Sequence, residues 1–378
     1  NETLAPNDSL YVFVELTIDP NGTDTPVLVR DSVTFELNGN LQHVKLMAYG
    51  QDVHLVNQQI LKTAVWKADK PYLIRNSMLV DTLETLTLLS GTKLYFESGS
   101  RLYVKGSLVA QGTKTQPVVF TGARTEKMYD DIPGLWDGIW LLPGSVNNRF
   151  EYAEIKNAIV GIRADSLIQS GKPCLSLNNS RIEHHTAIGI LAQGSSIVAT
   201  NTIVGDCGIY AVSLQVGGDY KFYQCTLANY WYYSTRSTPS LSIRNYYTDT
   251  KGQTQLRPIT NALFANCIVY GTLENEIELD GAEGATFNYL FDHCLLRISP
   301  KIDLAKYAGF VDNITNQNPI FVNPSLYDYH LKTTSPIRGR ASTPYIQAIT
   351  DLATDFDGVK RPDIGDIGAY MYVESVSK

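Results

Sequence analysis

The chain of 378 residues holds only five cysteines, Cys174, Cys207, Cys225, Cys267 and Cys294. They are odd in number and far apart, with no CxxC and no cysteine–histidine spacing. Zinc therefore has no ligand set, no spacing proposes a disulfide framework, and five buried thiols are expected. Positive charge is sparse as well: 31 Lys and Arg against 38 Asp and Glu give a net charge of −7, and the basic residues form no stripe. That distribution counts against a nucleic-acid partner. No apolar run approaches the ~20 residues of a membrane-spanning helix. GxSxG, the P-loop and a GxGxxG in strand–helix context are all missing, and with them any sign of those nucleophile or nucleotide sites. The i, i+3, i+4, i+7 stripe of an amphipathic helix is missing too. What the chain has is 44% hydrophobic residues, enough for a sizeable core and more than one domain, and 23 tyrosines, a composition suited to a β-rich extracellular protein.

Six short stretches share one pattern: "FEYAEI" (150–155), "LNNSRI" (177–182), "VATNTI" (198–203), "FYQCTL" (222–227), "FANCIV" (264–269) and "FDHCLL" (291–296). Each reads apolar, two variable residues, small, variable, apolar. Their starts lie 27, 21, 24, 42 and 27 residues apart, the spacing of a solenoid whose unit is short strands and turns. Strand alternation points the small and the final apolar residue of each stretch inward. The pattern then predicts two ladders. One is Ala153, Ser180, Asn201, Cys225, Cys267 and Cys294; the other is Ile155, Ile182, Ile203, Leu227, Val269 and Leu296. The cysteines read as members of a buried stack, not as metal or redox groups. Glycine follows in "VGIRA", "IGILA" and "CGIYAV", where it is expected to permit a tight corner. Outward, Glu154 precedes Arg181 by one coil and Lys156 precedes Glu183, read as solvent-exposed pairs of small energy. The outward positions of later coils are Thr202, Thr226, Ile268 and Leu295, which offer no carboxylate cluster.

The predicted class is all-β. Residues 1–66 alternate at period 2 between "PNGTD" and "NGN" turns and are expected to form an antiparallel β-sandwich-like domain. Residues 67–318 are expected to form a right-handed, single-stranded parallel β-helix with an insertion around 230–258. Residues 319–378 supply the last coil and a C-terminal cap, since a solenoid end must be covered. In the tail, "PIFV", "DYHL", "SPIRG", "DFDG" and "DIGAY", together with "WDGIW", "GSLVAQGT" and "PVVFTG" in the opening coils, resemble right-handed β-helix lipoproteins of gut anaerobes with a choice-of-anchor Q-like tail. The resemblance implies export to the cell surface, with a lipid-anchor cysteine upstream of Asn1. It carries over no catalytic residue.

Candidates for chemistry are few. Asp130, Asp131 and Asp137 sit among turn residues; Asp355 and Asp357 of "DFDG" read as a β-turn more than a Ca²⁺ loop; His184 and His185 are adjacent and so face apart. No cofactor or metal is expected. The feature that stands out is Tyr230-Trp231-Tyr232-Tyr233, four aromatics that a regular strand cannot turn to one side. They open the insertion, where Trp231, Tyr233, Tyr246 and Tyr247 are candidates for a glycan platform, with Arg236, Arg244 and Asp249 as its polar rim. The expected function is a non-catalytic, adhesin-like surface protein binding a polysaccharide or another surface ligand. A polysaccharide lyase or glycoside hydrolase is the alternative.

Overall fold

The computed structural model describes residues 6, 8–18, 27–165 and 172–374. They separate into two compact units, 1–54 and 55–378. In the first, Val27–Leu37 and Asn40–Gly50 form an antiparallel ribbon turned by Asn38-Gly39, both at positive φ. Asn-Gly supplies the two left-handed residues that such a two-residue turn requires. Among the described residues of this unit, the ribbon is its only sheet, and residues 8–18 join no strand. The "PNGTD" turn lies outside the described residues. The boundary falls at 54 and not at 66, because His54–Leu61 and Ala64–Trp66 pair into the larger sheet.

The second unit is built on a 26-stranded sheet wound into coils, an arrangement consistent with a parallel β-helix, with two small two-stranded sheets beside it. From Ala64 onward every pairing recorded in the large sheet is parallel. One coil reads Asn148–Glu151, Ala153–Lys156, Ala158–Ala164; the next reads Leu175–Asn178, Arg181–His185 and the first half of Ile188–Thr200. The strands thus stack in three columns, taken here in that order. Inside the first column Phe222, Phe264, Phe291 and Phe310 stack at centroid separations of 4.8, 5.0 and 5.2 Å, close to the ~4.8 Å distance between paired strands.

The register confirms both inward ladders except in one coil. Ile182 pairs with Val204, which pairs with Leu227, and Leu177 pairs with Ala199, which pairs with Phe222. The inward residues there are Thr202 and Val204, not Asn201 and Ile203. "VATNTIV" fits the repeat in two frames one residue apart, and alternation cannot choose between them when Ile203 and Val204 are both apolar. Asn201 instead occupies the corner between the first two columns at φ 47°, in line with Tyr152, Asn179, Gln224, Asn266 and His293, all between φ 44° and 54°. Asparagine tolerates this left-handed region better than most residues, which explains its recurrence. Between the second and third columns the left-handed residues are Asn157, His184 and Asp206. Gly161 and Gly189 are not corner residues: a Cβ on either would lie 2.6 Å from a carbonyl oxygen of the next coil. They are needed for close stacking.

Residues 123–133 leave the coil as expected and are held there by Asn157, whose Nδ2 donates to the carbonyls of Tyr129, Asp130 and Ile132. The 42-residue spacing hides a complete coil. "SLSIR" is a third-column strand, Leu241–Arg244, pairing with both neighbours, so the single expected insertion is two loops, 230–240 and 245–258. The tail lies along the outer face of the second column. There Ile203, Ala228, Ile268 and Leu295 point outward yet are buried against Phe321, Tyr329, Leu331, Ile337 and Ile367. Asn266 clamps Ser342 in both directions, and Asn201 Nδ2 donates to the carbonyls of Asp351 and Thr354. Asp355 forms the expected β-turn with Gly358, and Asp357 bonds His330 and Lys114.

All five cysteines are buried thiols. The Cys225 amide faces the Cys267 sulfur at 3.4 Å, and the Cys267 amide faces the Cys294 sulfur at 3.3 Å, so successive side chains point the same way. Parallel Cβ vectors do not give the torsion of a disulfide. Burial also raises the Cys267 pKa and suppresses its thiolate. Alkylation of the native protein should therefore modify none of this stack, whereas alkylation after unfolding without reductant should modify five cysteines. Any protected pair in the unfolded sample would contradict the stacked arrangement.

Candidate functional site

On the outer face of the second column the pairings Glu154–Arg181 and Lys156–Glu183 stand as the sequence predicts. They are not, however, solvent-exposed pairs. Residues 326–329 of the tail close over them and leave a pocket of about 240 Å³ lined by Glu154, Lys156, Arg181, Glu183, His184 and Tyr327. Arg181 Nε donates to Glu183 Oε2 at 2.5 Å and its Nη2 donates to the Tyr327 carbonyl at 2.6 Å. Burial opposes the Arg181 charge, but Glu183 beside it holds its pKa above the ordinary value. Glu183 is 4% exposed, and its second oxygen, Oε1, has no hydrogen-bond partner. No partner is recorded among the described residues for the side chains of Glu154 and Lys156. The pocket thus presents an unpaired cation and two unengaged carboxylate positions.

His184 stands at its edge because the corner turns there at φ 62°. Its Nδ1 lies 2.7 Å from Asp206 Oδ2, one coil further on, and its Nε2 lies 3.5 Å from Asp131 Oδ1 of the 123–133 loop. Asp206 is fully buried. The Tyr327 ring meets the His184 ring edge-on at 4.3 Å, and Tyr327 itself is held at φ 57°. From Tyr327 a hydroxyl chain runs outward: it donates to Tyr232 at 3.3 Å, Tyr232 to Tyr233 at 3.0 Å, and Tyr233 to the Asp131 carbonyl at 2.7 Å. Burial raises the pKa of Tyr327 and of Tyr233, so both phenols stay protonated.

The aromatic row divides accordingly. Tyr230 packs against Phe321 and Tyr329; Trp231 is 7% exposed and donates to Ser234; Tyr233 is half-buried; Tyr232 is displayed, 62% exposed. Trp231 and Tyr233 thus adjoin the pocket through Tyr232, while the other five candidates do not join them. Arg236 is buried in a two-bond ion pair with Glu276 at 2.6 and 2.8 Å. Arg244 pairs with Asp280, whose carboxylate also accepts from Tyr246, and Tyr247 lies under Arg257. Asp249 accepts from the Lys251 and Gln253 amides, building the turn between Tyr246–Thr248 and Thr254–Leu256. The seven residues do not form one platform. Sequence reasoning passed over Tyr327 altogether, and it set aside His184 and the Glu154–Lys156 and Arg181–Glu183 strands as corner and surface. The usable signal was the stacking of four charged residues on two adjacent strands.

Comparison with models of known protein families gives no match, and comparison with curated proteins gives none.

His185, next to His184, points inward. Its Nδ1 faces the Ala158 amide at 3.2 Å and accepts that proton only while the ring is neutral. Burial, reinforced by His184, depresses its pKa to about 3. A depressed histidine leaves stability intact above its unfolded pKa of about 6.5 and removes it as the unfolded chain gains the proton. Unfolding free energy should fall on the order of 4 kcal/mol between pH 6.5 and pH 3 from this group, and His185→Gln should flatten that slope. In denaturant melts at neutral pH, Arg236→Ala should cost about 3–5 kcal/mol because it strands Glu276 in the interior, whereas Arg244→Ala should cost under about 1 kcal/mol. Equal losses would contradict the burial assigned to the Arg236 pair.

Proposed function

We propose that this chain is an exported, adhesin-like cell-surface protein, a right-handed parallel β-helix that binds glycan at the pocket beside Tyr327. In the same reading the segment 319–378 serves as the C-terminal cap, and a lipid anchor lies upstream of Asn1. Export and anchoring rest on the resemblance of the tail and opening coils. Glycan binding rests on one observation: Lys156, Glu154 and Glu183 Oε1 carry unused hydrogen-bonding capacity inside a pocket walled by the Tyr327 ring. A pyranose is complementary to that set. Its hydroxyls donate to carboxylates and accept from an ammonium, while its C–H face packs on an aromatic ring. Tyr232, exposed and hydrogen-bonded to Tyr327, extends the aromatic surface toward solvent.

A panel of soluble polysaccharides tests this by affinity electrophoresis and calorimetry. Lys156→Ala and Tyr232→Ala should each weaken binding about tenfold with an unchanged melting temperature, the loss expected for one good polar or aromatic contact. Trp231→Ala should lower the melting temperature instead. Binding unaffected by either of the first two substitutions would place the glycan elsewhere.

A further inference from the structure

We propose that the same pocket cleaves its glycan, with His184 as general base and Tyr327 as general acid in the β-elimination of a 4-linked uronic acid residue. The inference rests on the glycan reading and adds a reaction to it. Three geometric observations carry it. First, His184 has the orientation of a base. Asp206, buried and 2.7 Å from Nδ1, accepts the Nδ1 proton, so neutral His184 keeps its lone pair on Nε2, at the pocket's edge. Second, Tyr327 lines the pocket beside His184, and its phenol is hydrogen-bonded to Tyr232, which is 62% exposed and so links it to solvent. Third, Lys156 is a pocket cation that no described residue pairs, placed to receive the carboxylate that makes the C5 proton of a uronate acidic. All three corner and tail residues involved, His184, Asp206 and Tyr327, are held at positive φ, a conformation that costs energy and collects at functional sites.

The step balances without a co-reactant. His184 Nε2 takes the C5 proton, the C5–H electron pair becomes the C4–C5 double bond, and the C4–O4 bond breaks. The departing oxygen takes the Tyr327 proton, and the resulting phenolate recovers one from the exposed Tyr232 hydroxyl, which water reprotonates. The proton on His184 passes to Asp131, whose carboxylate is half-exposed 3.5 Å away, and from there to water. Lys156 offsets the charge that builds on the uronate carboxylate, which is where electrostatic help matters most. Glu183 keeps Arg181 charged beside the pocket, and Glu154 and Glu183 Oε1 remain to accept sugar hydroxyls. Asp206 is a positioning residue. The groups facing His184 are Asp206 from the coil, Asp131 from the loop, Tyr327 from the tail, and Glu183 and His185 beside it in its own strand; of these, only the two aspartates are recorded at its ring nitrogens.

The test uses the whole chain with polygalacturonate, alginate and hyaluronan, reading the ultraviolet absorbance of the conjugated product and, separately, binding. At least one polymer should yield unsaturated ends. His184→Asn, whose side chain suits the left-handed corner, should retain binding and lower the rate about a hundredfold or more. Asp206→Asn should lower kcat with KM and binding unchanged, a split that a merely structural role would not produce. Binding without product from any polymer, or full activity in His184→Asn, would overturn the elimination and leave the glycan reading standing. Absence of both binding and product would overturn both.

Discussion

Every coil of this protein must present side chains of compatible size at the same inward positions, because the next coil lies one strand spacing away. The phenylalanines at 222, 264, 291 and 310, the aliphatic ladder beside them and the cysteines at 225, 267 and 294 all answer that requirement. It also explains features that have nothing to do with side-chain packing. Gly161 and Gly189 lack a Cβ because the carbonyls of the neighbouring coil occupy the space it would need. The stack is continuous, so its stability is shared by neighbouring coils, as in other repeat architectures.

The corners convert this regular stack into a scaffold for irregular segments. A left-handed residue at each bend turns its side chain away from the strands, and asparagine there still has an amide to spend. Asn157 spends it on the 123–133 loop, Asn201 and Asn266 on the tail. Arg361 of the tail returns the contact by donating to Asn201 Oδ1 at 2.7 Å. The loops and tail are thus fixed by hydrogen bonds to the most rigid part of the molecule, so residues on them can hold a defined geometry. Where a corner carries His184 or Asp206 instead of asparagine, the same position yields a titratable pair and not a clamp.

The pocket at Tyr327 is assembled from pieces that no local rule connects. Two adjacent strands give Glu154, Lys156, Arg181 and Glu183; a corner gives His184; the next coil gives Asp206; a loop, an insertion and the tail give Asp131, Tyr232 and Tyr327. The tail changes the chemistry of what it covers. Left open to water, Arg181 and Glu183 would form a screened pair of little consequence, but beneath Tyr327 and Tyr329 they become a desolvated pair beside a cavity. The aromatic row from Tyr230 to Tyr233 is divided in the same way between burial, stacking and display.

The sequence by itself determined the all-β class, the coil repeat, the inward ladders in five of six stretches, the outward register of the charged strands and the departure of the chain after Asn229. These follow from alternation and period, which depend only on neighbours along the chain. It misplaced the 198–203 stretch by one residue because Ile203 and Val204 satisfy alternation equally well, and only pairing with flanking coils separates them. It also read "SLSIR" as part of a loop, since one short strand between two loops carries no period. The tertiary structure alone decided that Arg236 lies buried on Glu276, that the outward Ile268 and Leu295 are covered by the tail, and that Tyr327 meets His184 across more than a hundred residues of chain. Those outcomes depend on which distant surface covers a side chain, and periodicity along a strand contains no term for that.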